Sequence, residues 1–505
     1  MVADISITGL SASDPVPGVY MEVNFAAGPA SGSGAVYEAV ILANKTAAGS
    51  GVVNTQIYGP DSPVQLQTDE QAKAIMGSGS EAHLMWREFA KLGLTARVLL
   101  VTESAGANAT GTITLTTNAT GSGTLRLYIC DAVLEVGIVS GDSVTTIAAA
   151  MVSAINAKDD LPVTATNALG VITVTAKNKG PRSNSLRFMP LIVGSSVGTT
   201  VSPTVDTAMS GGTTADDVTT AISTLSAGRY YYIVHAHNDA TNIGLIKAHV
   251  NSSALPIVGK RQRHVTALCG DLSSSNAVST AVNAERAEIP WSEQCPYGST
   301  RLAAHLGATY LLGEQPENFR TNFASYGNDS ATAKTWNVPS ARSTSAWPSR
   351  ASISSALLAG LSPVGVNANG STYLVNRVTT RTLSGANADY RISRAHKVTI
   401  MDRIADELVS MAVLQYSGKR LANDPKKGER FPTDPVVTPQ LYRGSVTLIL
   451  EKYARDLGLI ERLDETLSAM VVARQQSNRA RLGVSAPIYT VDNFEQSAMA
   501  INQVQ

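Results

Sequence analysis

The spacing of apolar residues near the C-terminal end of the chain predicts two amphipathic helices. The first covers Arg391–Tyr416, where apolar residues recur every three or four positions. Its apolar stripe contains Ile400, Ile404, Leu408 and Met411, and its other face carries Asp402, Arg403, Asp406 and Glu407. This pattern is that of a long helix with one apolar and one polar side.

The second helix begins at Thr438-Pro439, a capping residue followed by proline at the first helical position. It ends at Gly458, because glycine commonly closes helices. Its stripe contains Tyr442, Val446, Ile449 and Tyr453. Two extended segments follow, Thr466–Arg474 and Ala486–Gln505, and apolar residues alternate along the first of them.

A short strand is predicted near the start of the chain, at Val19–Phe25. Apolar and polar residues alternate there, and prolines and the glycine-rich stretch Gly28–Gly34 flank it. No neighbouring strand is available for local pairing. Because an isolated strand leaves its backbone groups unpaired, we expect it to join a sheet of the same subunit or of another one.

Buried strands alternate with helices in two separated parts of the chain. The predicted strands are Ala39–Ala43, Arg97–Val101, Tyr230–His235, His264–Cys269, a short one at Ile289, and Tyr373–Arg381. The predicted helices are short ones opening at Thr68 and Ser80, then Thr241–Asn251, Ser275–Ala287, Ser299–Leu312 and Ala351–Leu361. This alternation predicts an α/β fold with a doubly wound, parallel sheet that is split in sequence.

The segment that splits it has a different composition. Its predicted strands are Thr112–Thr116, Thr124–Ile129, Val133–Ile138, Val163–Asn167 and Val171–Ala176. One helix, Val144–Asn156, is capped at Asp142-Ser143, and a glycine- and serine-rich joint, Ser195–Thr214, closes the segment. We predict a small, solvent-facing α+β domain inserted into a loop, since an insertion needs only two ends that lie close together.

These patterns divide the chain into five parts. We predict an N-terminal extended arm, a discontinuous α/β middle domain, an inserted β-rich α+β domain, a C-terminal α+β domain and a C-terminal arm. The N-terminal arm covers residues 1–34, and the middle domain covers 35–104 and 209–370. The inserted domain covers 105–208, the C-terminal domain 371–485 and the C-terminal arm 486–505.

Composition narrows the possible partners. Only 16% of the 505 residues are charged and the formal net charge is zero, which argues against a nucleic-acid partner and suits a surface that packs against copies of itself. An ordinary neutral globular protein would have the same composition. No apolar run is long enough to span a bilayer and no signal peptide is recognised, so we expect a cytoplasmic origin without membrane insertion. The three cysteines favour buried thiols over a disulfide framework.

One segment is the best candidate for a catalytic or metal-binding site, His235-Ala-His237-Asn-Asp239. It ends a predicted strand, where α/β sheets place their sites, and His-x-His is a metal-ligand spacing. No further ligand group at suitable spacing accompanies it. The alternative, which we prefer, is a polar strand end that caps the next helix. We therefore predict no enzyme activity, no cofactor and no metal.

A basic run is predicted to lie in a loop after the long helix. It contains Lys419, Arg420, Lys426, Lys427 and Arg430. A solvated loop is the simplest interpretation. A contact with an acidic partner is the alternative, and Arg443, Lys452 and Arg455 of the second helix compete for the same role.

The order of segments along the chain resembles the sheath protein of contractile phage tails, the Mu-like branch in particular. The matching stretches are Pro15-Val-Pro-Gly-Val-Tyr-Met-Glu-Val23, Val375–Leu383, Thr438-Pro439-Gln440, and Arg474 with Asn478-Arg-Ala-Arg481. The resemblance lies in the order of these stretches along the chain.

The resemblance implies a helical homo-polymer around a tail tube, in which the C-terminal domain lies innermost. The sheet of that domain would be incomplete in one subunit and completed by strands from neighbours. The implied exchange residues are Val19, Tyr20, Met21, Glu22, Val23, Phe25, Ile488, Val491, Met499 and Ile501. The implied tube contacts are Arg443, Lys452, Arg455, Lys426 and Lys427.

The resemblance further implies a virion protein, assembled in the host bacterial cytoplasm, that contracts to drive the tube through the host envelope. The tube protein, the baseplate and the tail terminator would be its partners. Two alternatives stay open: a non-contractile shell or surface-layer protein, and a metal-dependent enzyme using His235, His237 and Asp239.

Overall fold

A computed structural model of the chain describes residue 19 and residues 37–315, 318–430 and 435–495. Of the predicted strand Val19–Phe25, only Val19 lies within these residues, and it is exposed. The predicted exchange residues Tyr20, Met21, Glu22, Val23, Phe25, Met499 and Ile501 lie outside the described residues.

The first α/β portion forms as its sequence predicts. Its elements are β1 (Ala39–Ala43), β2 (Ile57–Tyr58), α1 (Asp69–Met76), α2 (Glu81–Lys91) and β3 (Ala96–Leu100). Thr68 caps α1 in a capping box with Gln71, and Ser80 caps α2 by accepting a hydrogen bond from the His83 N–H. The predicted helix starts at Thr68 and Ser80 are therefore confirmed.

The following segment folds into two antiparallel sheets and one helix around a core of its own. Its first elements are β4 (Asn108–Thr116), β5 (Gly123–Ile129), β6 (Ala132–Ile138), α3 (Val144–Ala157), β7 (Val163–Ala168) and β8 (Val171–Lys179). They are followed by β9 (Arg187–Val193), β10 (Thr200–Ser202) and β11 (Thr207–Ala208). The sheet orders are β10-β4-β8-β7 and β11-β9-β5-β6.

The predicted joint Ser195–Thr214 contains two strands that the sequence analysis did not predict. Strands β10 and β11 lie within it, and each adds to the edge of one of the two sheets. Val197 and Met209 from the same stretch are buried in the core of this segment. Strands of two or three residues are too short for an alternation of apolar residues to be recognised in them. Strand β9 was not predicted either.

The chain then returns to the first sheet. The elements are α4 (Thr219–Leu225), β12 (Tyr232–His235), α5 (Ala240–Ser253), β13 (Arg263–Val265), α6 (Leu272–Val282) and β14 (Ala287–Trp291). They continue with α7 (Gly298–Glu314), α8 (Arg350–Leu358), β15 (Leu361–Val366) and β16 (Thr372–Leu374). The predicted strand Tyr373–Arg381 is largely wrong, because β16 ends at Leu374. Beyond it the backbone makes single bonds to several different segments, such as the bond from the Thr379 N–H to the Ser393 carbonyl at 2.8 Å.

The resulting sheet has eight strands in the order β16-β15-β14-β13-β12-β1-β3-β2. The pairs from β15 to β3 are parallel, and both edge strands are antiparallel. Every residue of β1 is buried, with Ile41 facing α2 and α7 and Val40 facing α4 and α5. Helices therefore cover both faces, as an uninterrupted apolar strand requires. The predicted mixed α/β fold is confirmed.

The C-terminal part of the chain has a separate apolar core. The elements of this part are β17 (Leu383–Ser384), β18 (Asn387–Ala388), α9 (Ala395–Met411), β19 (Arg420–Leu421), β20 (Val436–Val437), α10 (Pro439–Glu451), β21 (Ile460–Glu461), α11 (Leu463–Ala469), β22 (Val471–Arg474), β23 (Leu482–Ser485) and β24 (Tyr489–Thr490). Helices α9 and α10 contribute most of the buried residues of this core. Helices α9 and α10 each continue into one π-helical turn, at Ala412–Tyr416 and Lys452–Asp456.

The expectation of one extended segment at Thr466–Arg474 is half wrong, because α11 occupies its first part. Asp464 and Glu465 lie in the first turn of α11, where acidic groups interact favourably with the helix dipole. The Arg443 guanidinium donates hydrogen bonds to the carbonyls of Leu467 and Met470 and so satisfies the C-terminal end of this helix. The capping group comes from another helix, so the local sequence gives no sign of it.

We predict that Gly307→Leu destabilises the protein by about 1–3 kcal/mol, because the site has no room for a side chain. A Cβ at Gly307 of α7 would lie 2.6 Å from Cγ2 of Val234 in β12. Gly244 in α5 is the matched control: a Cβ there would meet no atom within 4 Å. Gly244→Ala should stabilise by about 0.5–1 kcal/mol. Urea denaturation measures both changes, and equal stabilities for the two variants would contradict this packing of α7 on the sheet.

Candidate assembly interface

Helix α9 is joined to the central sheet by buried ion pairs, which we call the ionic junction. Its arginines come from the sheet side, and its carboxylates come from α7, α9 and β14. The members are Arg229, Arg261, Arg263, Arg286, Arg377, Glu288, Glu314, Asp402 and Asp406. Each of these side chains is less than one-tenth exposed, so the pairs lie in a medium of low dielectric constant.

The outer part of the ionic junction holds two carboxylates of α9. Arg286 binds Asp402 through two parallel hydrogen bonds of 2.7 and 2.8 Å. Arg229 donates to Asp406 at 2.6 Å. Burial raises the pKa of Asp402, but the neighbouring Arg286 outweighs this effect and the net shift is downward. For Asp406 burial prevails over its arginine partners and raises the pKa.

The inner part lies against Tyr232 of β12. Arg377 donates to Glu288 at 2.6 Å, and the Arg263 guanidinium binds Glu314. Thr399 of α9 donates to the same Glu314 carboxylate at 2.8 Å, so α9 contributes a hydroxyl here in addition to its charges. Burial raises the pKa of Glu314, yet Arg263 and Arg377 outweigh it and bring the pKa to about 2.

Helix α9 is consequently buried on two sides. Its apolar stripe packs in the C-terminal core, where Ile400 and Ile404 are fully buried. Its polar side was expected to carry Asp402 and Asp406 as an ordinary hydrophilic face. The structure instead buries both carboxylates against the arginines of the sheet.

Two small strand ladders lie on the C-terminal core. Strands β22 and β23 pair antiparallel over four residues, from Val471 opposite Ser485 to Arg474 opposite Leu482. Strands β21 and β24 pair over two residues, Ile460 with Thr490 and Glu461 with Tyr489. Within the described residues each ladder has only two strands, so each has free edges.

The end of the described chain is held on its own subunit. The Val491 N–H donates to the Leu459 carbonyl at 3.1 Å, and the Val491 carbonyl lies 3.2 Å from the His396 ring. Two ion pairs follow, Asp492 with Lys397 at 2.7 Å and Glu495 with Arg394 at 2.6 Å. The predicted exchange residues Ile488 and Val491 therefore contact their own chain in the single subunit.

The predicted tube-contact residues fall into two groups. Arg443 is half-buried and bound to α11 as described. Lys452 pairs with Glu407 at 2.6 Å and Arg455 with Glu451 at 3.6 Å, and both cations are exposed. Lys426 and Lys427 lie exposed in the loop between β19 and β20. Four of the five side chains are thus at the surface of one subunit.

The side chains of the histidine candidate site contact other parts of the same chain. His235 and His237 are completely buried, and His235 lies 3.1 Å from the His264 ring and 2.9 Å from the His237 carbonyl. Asp239 caps α5 by accepting a hydrogen bond from the Asn242 N–H, which confirms the preferred interpretation of that residue. Among the described residues, no group of three or more His, Cys, Asp or Glu side chains is arranged to hold a metal ion.

No helix in the described ranges has both the length and the apolar character needed to cross a bilayer.

Two solved structures are similar to the chain over most of its length. The sheath tail protein from Desulfitobacterium hafniense is 13% identical, with 91% of this chain and 94% of that chain covered and a TM-score of 0.47. The sheath tail protein from Listeria innocua is 12% identical, with coverages of 94% and 97% and a TM-score of 0.46. No protein-family model matches the chain.

A sequence comparison gives a further similarity. The chain is 25% identical over 512 residues to the Mu-like prophage FluMu tail sheath protein of Haemophilus influenzae, covering 98% of this chain and 99% of that protein. The predicted resemblance to Mu-like tail sheath proteins is confirmed. The chain is similar to this tail sheath protein from end to end, so the likeness includes both terminal segments and the inserted one.

We predict that Asp402→Asn destabilises the protein by about 3–5 kcal/mol, because it removes the carboxylate that binds the buried Arg286 guanidinium through two hydrogen bonds. Glu407→Gln on the same helix is the matched control. Its pair with Lys452 is solvent-exposed, so the loss should be about 0–1 kcal/mol. Chemical denaturation of both variants measures the difference, and similar losses would contradict a special role for the ionic junction.

Acid should weaken the ionic junction through Glu314. Its pKa lies at about 2, below the ordinary value of 4.5, so the ionised group stabilises the fold above pH 4.5 and loses this contribution as the pH falls toward 2. We expect wild type to lose up to about 1.4 kcal/mol per pH unit from this group in that range. Glu314→Gln, which cannot titrate, should show a shallower dependence in urea titrations from pH 5 to 2. An unchanged slope would contradict the assignment.

Proposed function

We propose that this chain is a structural subunit of the contractile tail sheath of a Mu-like phage. In this proposal it polymerises helically around the tail tube through exchanged β-strands, and contraction drives the tube through the host envelope. The observation that carries the proposal is the end-to-end similarity to the FluMu tail sheath protein. If the two proteins shared only one binding or catalytic domain, their sequence similarity would not extend over both terminal segments.

The strand exchange is supported by the free edges of the two C-terminal ladders. A two-stranded ladder is marginally stable in water, and the strand β22–β23 pair has only four residues on each side. In the proposal, Val19–Phe25 of a neighbouring copy adds to such an edge through backbone hydrogen bonds, which require little of the side chains. The alternating apolar residues of this strand would then cover the C-terminal core.

The C-terminal arm is proposed to reach a different neighbour. The pairing of β24 with β21 and the two ion pairs after it hold the chain on its own subunit as far as Glu495. We assign the exchange to the residues beyond, including Met499 and Ile501. Ile488 and Val491 would then anchor the arm on its own subunit, which modifies the role predicted for them from the sequence.

Contraction in this proposal needs no nucleotide. The extended sheath is a trapped packing, and the contracted sheath buries more surface between copies. Because the ionic junction holds α9 to the sheet, each subunit moves as a unit, and the glycine-rich Gly28–Gly34 serves as the hinge to the exchanged strand. A small gain for each copy is sufficient, since coupling adds over many copies.

The tube contact is proposed to use the exposed cations Lys426, Lys427, Lys452 and Arg455. Exposed ion pairs contribute about 0–1 kcal/mol each, so such a contact can orient the sheath and still break when it widens. Arg443 fits this role less well because it already caps α11. The baseplate and the tail terminator are the further proposed partners, at the two ends of the polymer.

We expect that deleting residues 1–27 abolishes polymers and leaves a folded monomer, because the deletion removes the exchanged strand and none of the described core. Deleting residues 1–14 is the matched control, since it shortens the arm and keeps Val19–Phe25. Negative-stain electron microscopy of the purified variants provides the measurement. Wild type and the control should form striated hollow cylinders, and cylinders formed by the longer deletion would remove the arm from the mechanism.

The same images distinguish the alternative structural role. A sheath forms hollow cylinders of one or two fixed diameters, whereas a shell or surface-layer protein forms sheets or closed particles. Sheets or closed particles from the full-length protein would replace the sheath proposal by that alternative.

A further inference from the structure

A cleft lies where the inserted segment meets helices α2 and α7. Its outer chamber has a volume of about 140 Å³ and is bounded on the inserted side by the β5–β6 turn and the loop between α3 and β7. An inner chamber of about 20 Å³, enough for one water-sized group, adjoins it, because Leu84, Pro162 and Arg301 line both chambers. The two chambers follow the contact between the inserted segment and the rest of the chain.

Ion pairs join the two walls of this cleft. Arg87 of α2 pairs with Asp160 of the inserted segment at 3.0 Å, and Arg301 of α7 pairs with Asp131 of the inserted segment at 2.5 Å. Because both pairs cross from one wall to the other, the cleft is already formed within one subunit and needs no second copy.

The outer chamber carries more positive than negative charge. Four cations line it, Arg87, Lys91, Lys158 and Arg301, against three carboxylates. Two of the carboxylates are bound by the arginines as described, and the third, Glu88, binds Lys91 at 2.7 Å and Arg301 at 3.0 Å. Every carboxylate of the chamber is thus already paired with a cation.

Lys158 is the cation that remains. Its side chain is exposed, and its ammonium group forms no ion pair or hydrogen bond with any residue that the structure describes. Lys158 belongs to the inserted segment, whereas Lys91 belongs to α2 and is 37% exposed. Accessible ammonium groups therefore line the chamber from both walls, and one small ion with several acceptor atoms can contact both.

The inner chamber contains a buried donor without a partner. Arg182 lines it and is only 5% exposed. The Arg182 Nε donates to Glu81 at 2.8 Å and Nη1 lies 2.7 Å from Asp216, but Nη2 makes no hydrogen bond within the described part of the chain. An oxygen atom in the inner chamber, from water or from a ligand, would satisfy this donor.

The same residues do not favour a metal ion. The carboxylates that would bind one are already neutralised by arginine and lysine, and no group of His, Cys, Asp or Glu side chains among the described residues is arranged to hold a metal. The charge left without a partner is positive, so the complementary ligand is an anion. An oxyanion with four oxygens can accept hydrogen bonds from several donors at once, more than a carboxylate with two.

We propose that this cleft binds the tetrahedral oxyanion of phosphate, either as the free ion or as the terminal group of a phosphorylated small molecule. Lys158 and Lys91 are its main contacts, one from each wall of the outer chamber. Bound phosphate would connect the two ammonium groups and so add a link between the inserted segment and α2. The inference concerns the single chain and does not depend on the proposed sheath function.

The test is calorimetric titration of the full-length protein at constant ionic strength, because phosphate also stabilises proteins non-specifically and a melting temperature would not separate the two effects. Inorganic phosphate is the ligand in one arm and glycerol phosphate in the other. We expect saturable binding of one anion per chain. Binding of inorganic phosphate alone assigns the site to the free ion, and binding of glycerol phosphate assigns it to phosphorylated small molecules.

Lys158→Gln should weaken this binding about tenfold, since it removes one charged hydrogen-bond donor. Lys158→Arg should retain most of the affinity. Lys334→Gln is the matched control: it removes the same charge from an exposed lysine in the loop between α7 and α8 that does not line the cleft. Its affinity should equal that of wild type. Urea denaturation should give equal stabilities for all variants, because Lys158 has no partner in the protein.

Lysine acetylation followed by mass spectrometry locates the bound ion. Phosphate should slow the acetylation of Lys91 and Lys158 and leave Lys334 unchanged. The proposal is overturned if neither anion binds saturably, if Lys158→Gln and Lys334→Gln bind equally well, or if phosphate protects all three lysines alike. None of these results would bear on the sheath proposal, since the protein is tested without assembly.

Discussion

The ionic junction is the interaction on which the arrangement of the subunit depends. Five arginines and four carboxylates are buried between the central sheet and α9, and each cation has at least one anionic partner there. Buried pairs of this kind contribute little net stability compared with apolar packing, but each charge is costly once its partner moves away. They therefore fix where α9 sits more strongly than they raise the stability of the fold.

This constraint connects the fold to the proposed assembly. The C-terminal core and its two short ladders are carried on α9 and α10. In the proposed assembly, a force that neighbouring copies exert on those ladders would reach the central sheet through the ionic junction. The inserted segment, with its own core, lies outside this route. In the proposed assembly, the ionic junction would hold the C-terminal core in place on the sheet, and the free edges of the two ladders would accept strands from other copies.

The sequence predicted the parts of the fold that local patterns specify. The strand Ala39–Ala43 was predicted to the residue, and the caps at Thr68, Ser80 and Thr438 mark helix starts because capping depends on neighbouring residues alone. Helix α11 was missed because its C-terminal carbonyls are satisfied by Arg443 from α10. The ionic junction was not predicted either, because its arginines are far apart in the sequence and only the strand order brings them together. One signal was available: arginines and a glutamate inside apolar strands, as at Arg263 and Glu288, need buried partners.

A cryo-electron microscopy reconstruction of the assembled wild-type polymer tests the central claim most directly. The account predicts that Val19–Phe25 of one copy runs beside a C-terminal ladder of another, and that the Arg286–Asp402 and Arg263–Glu314 pairs are the same in every state of the polymer. A map in which both terminal segments fold back on their own subunit, without any strand shared between copies, would contradict it.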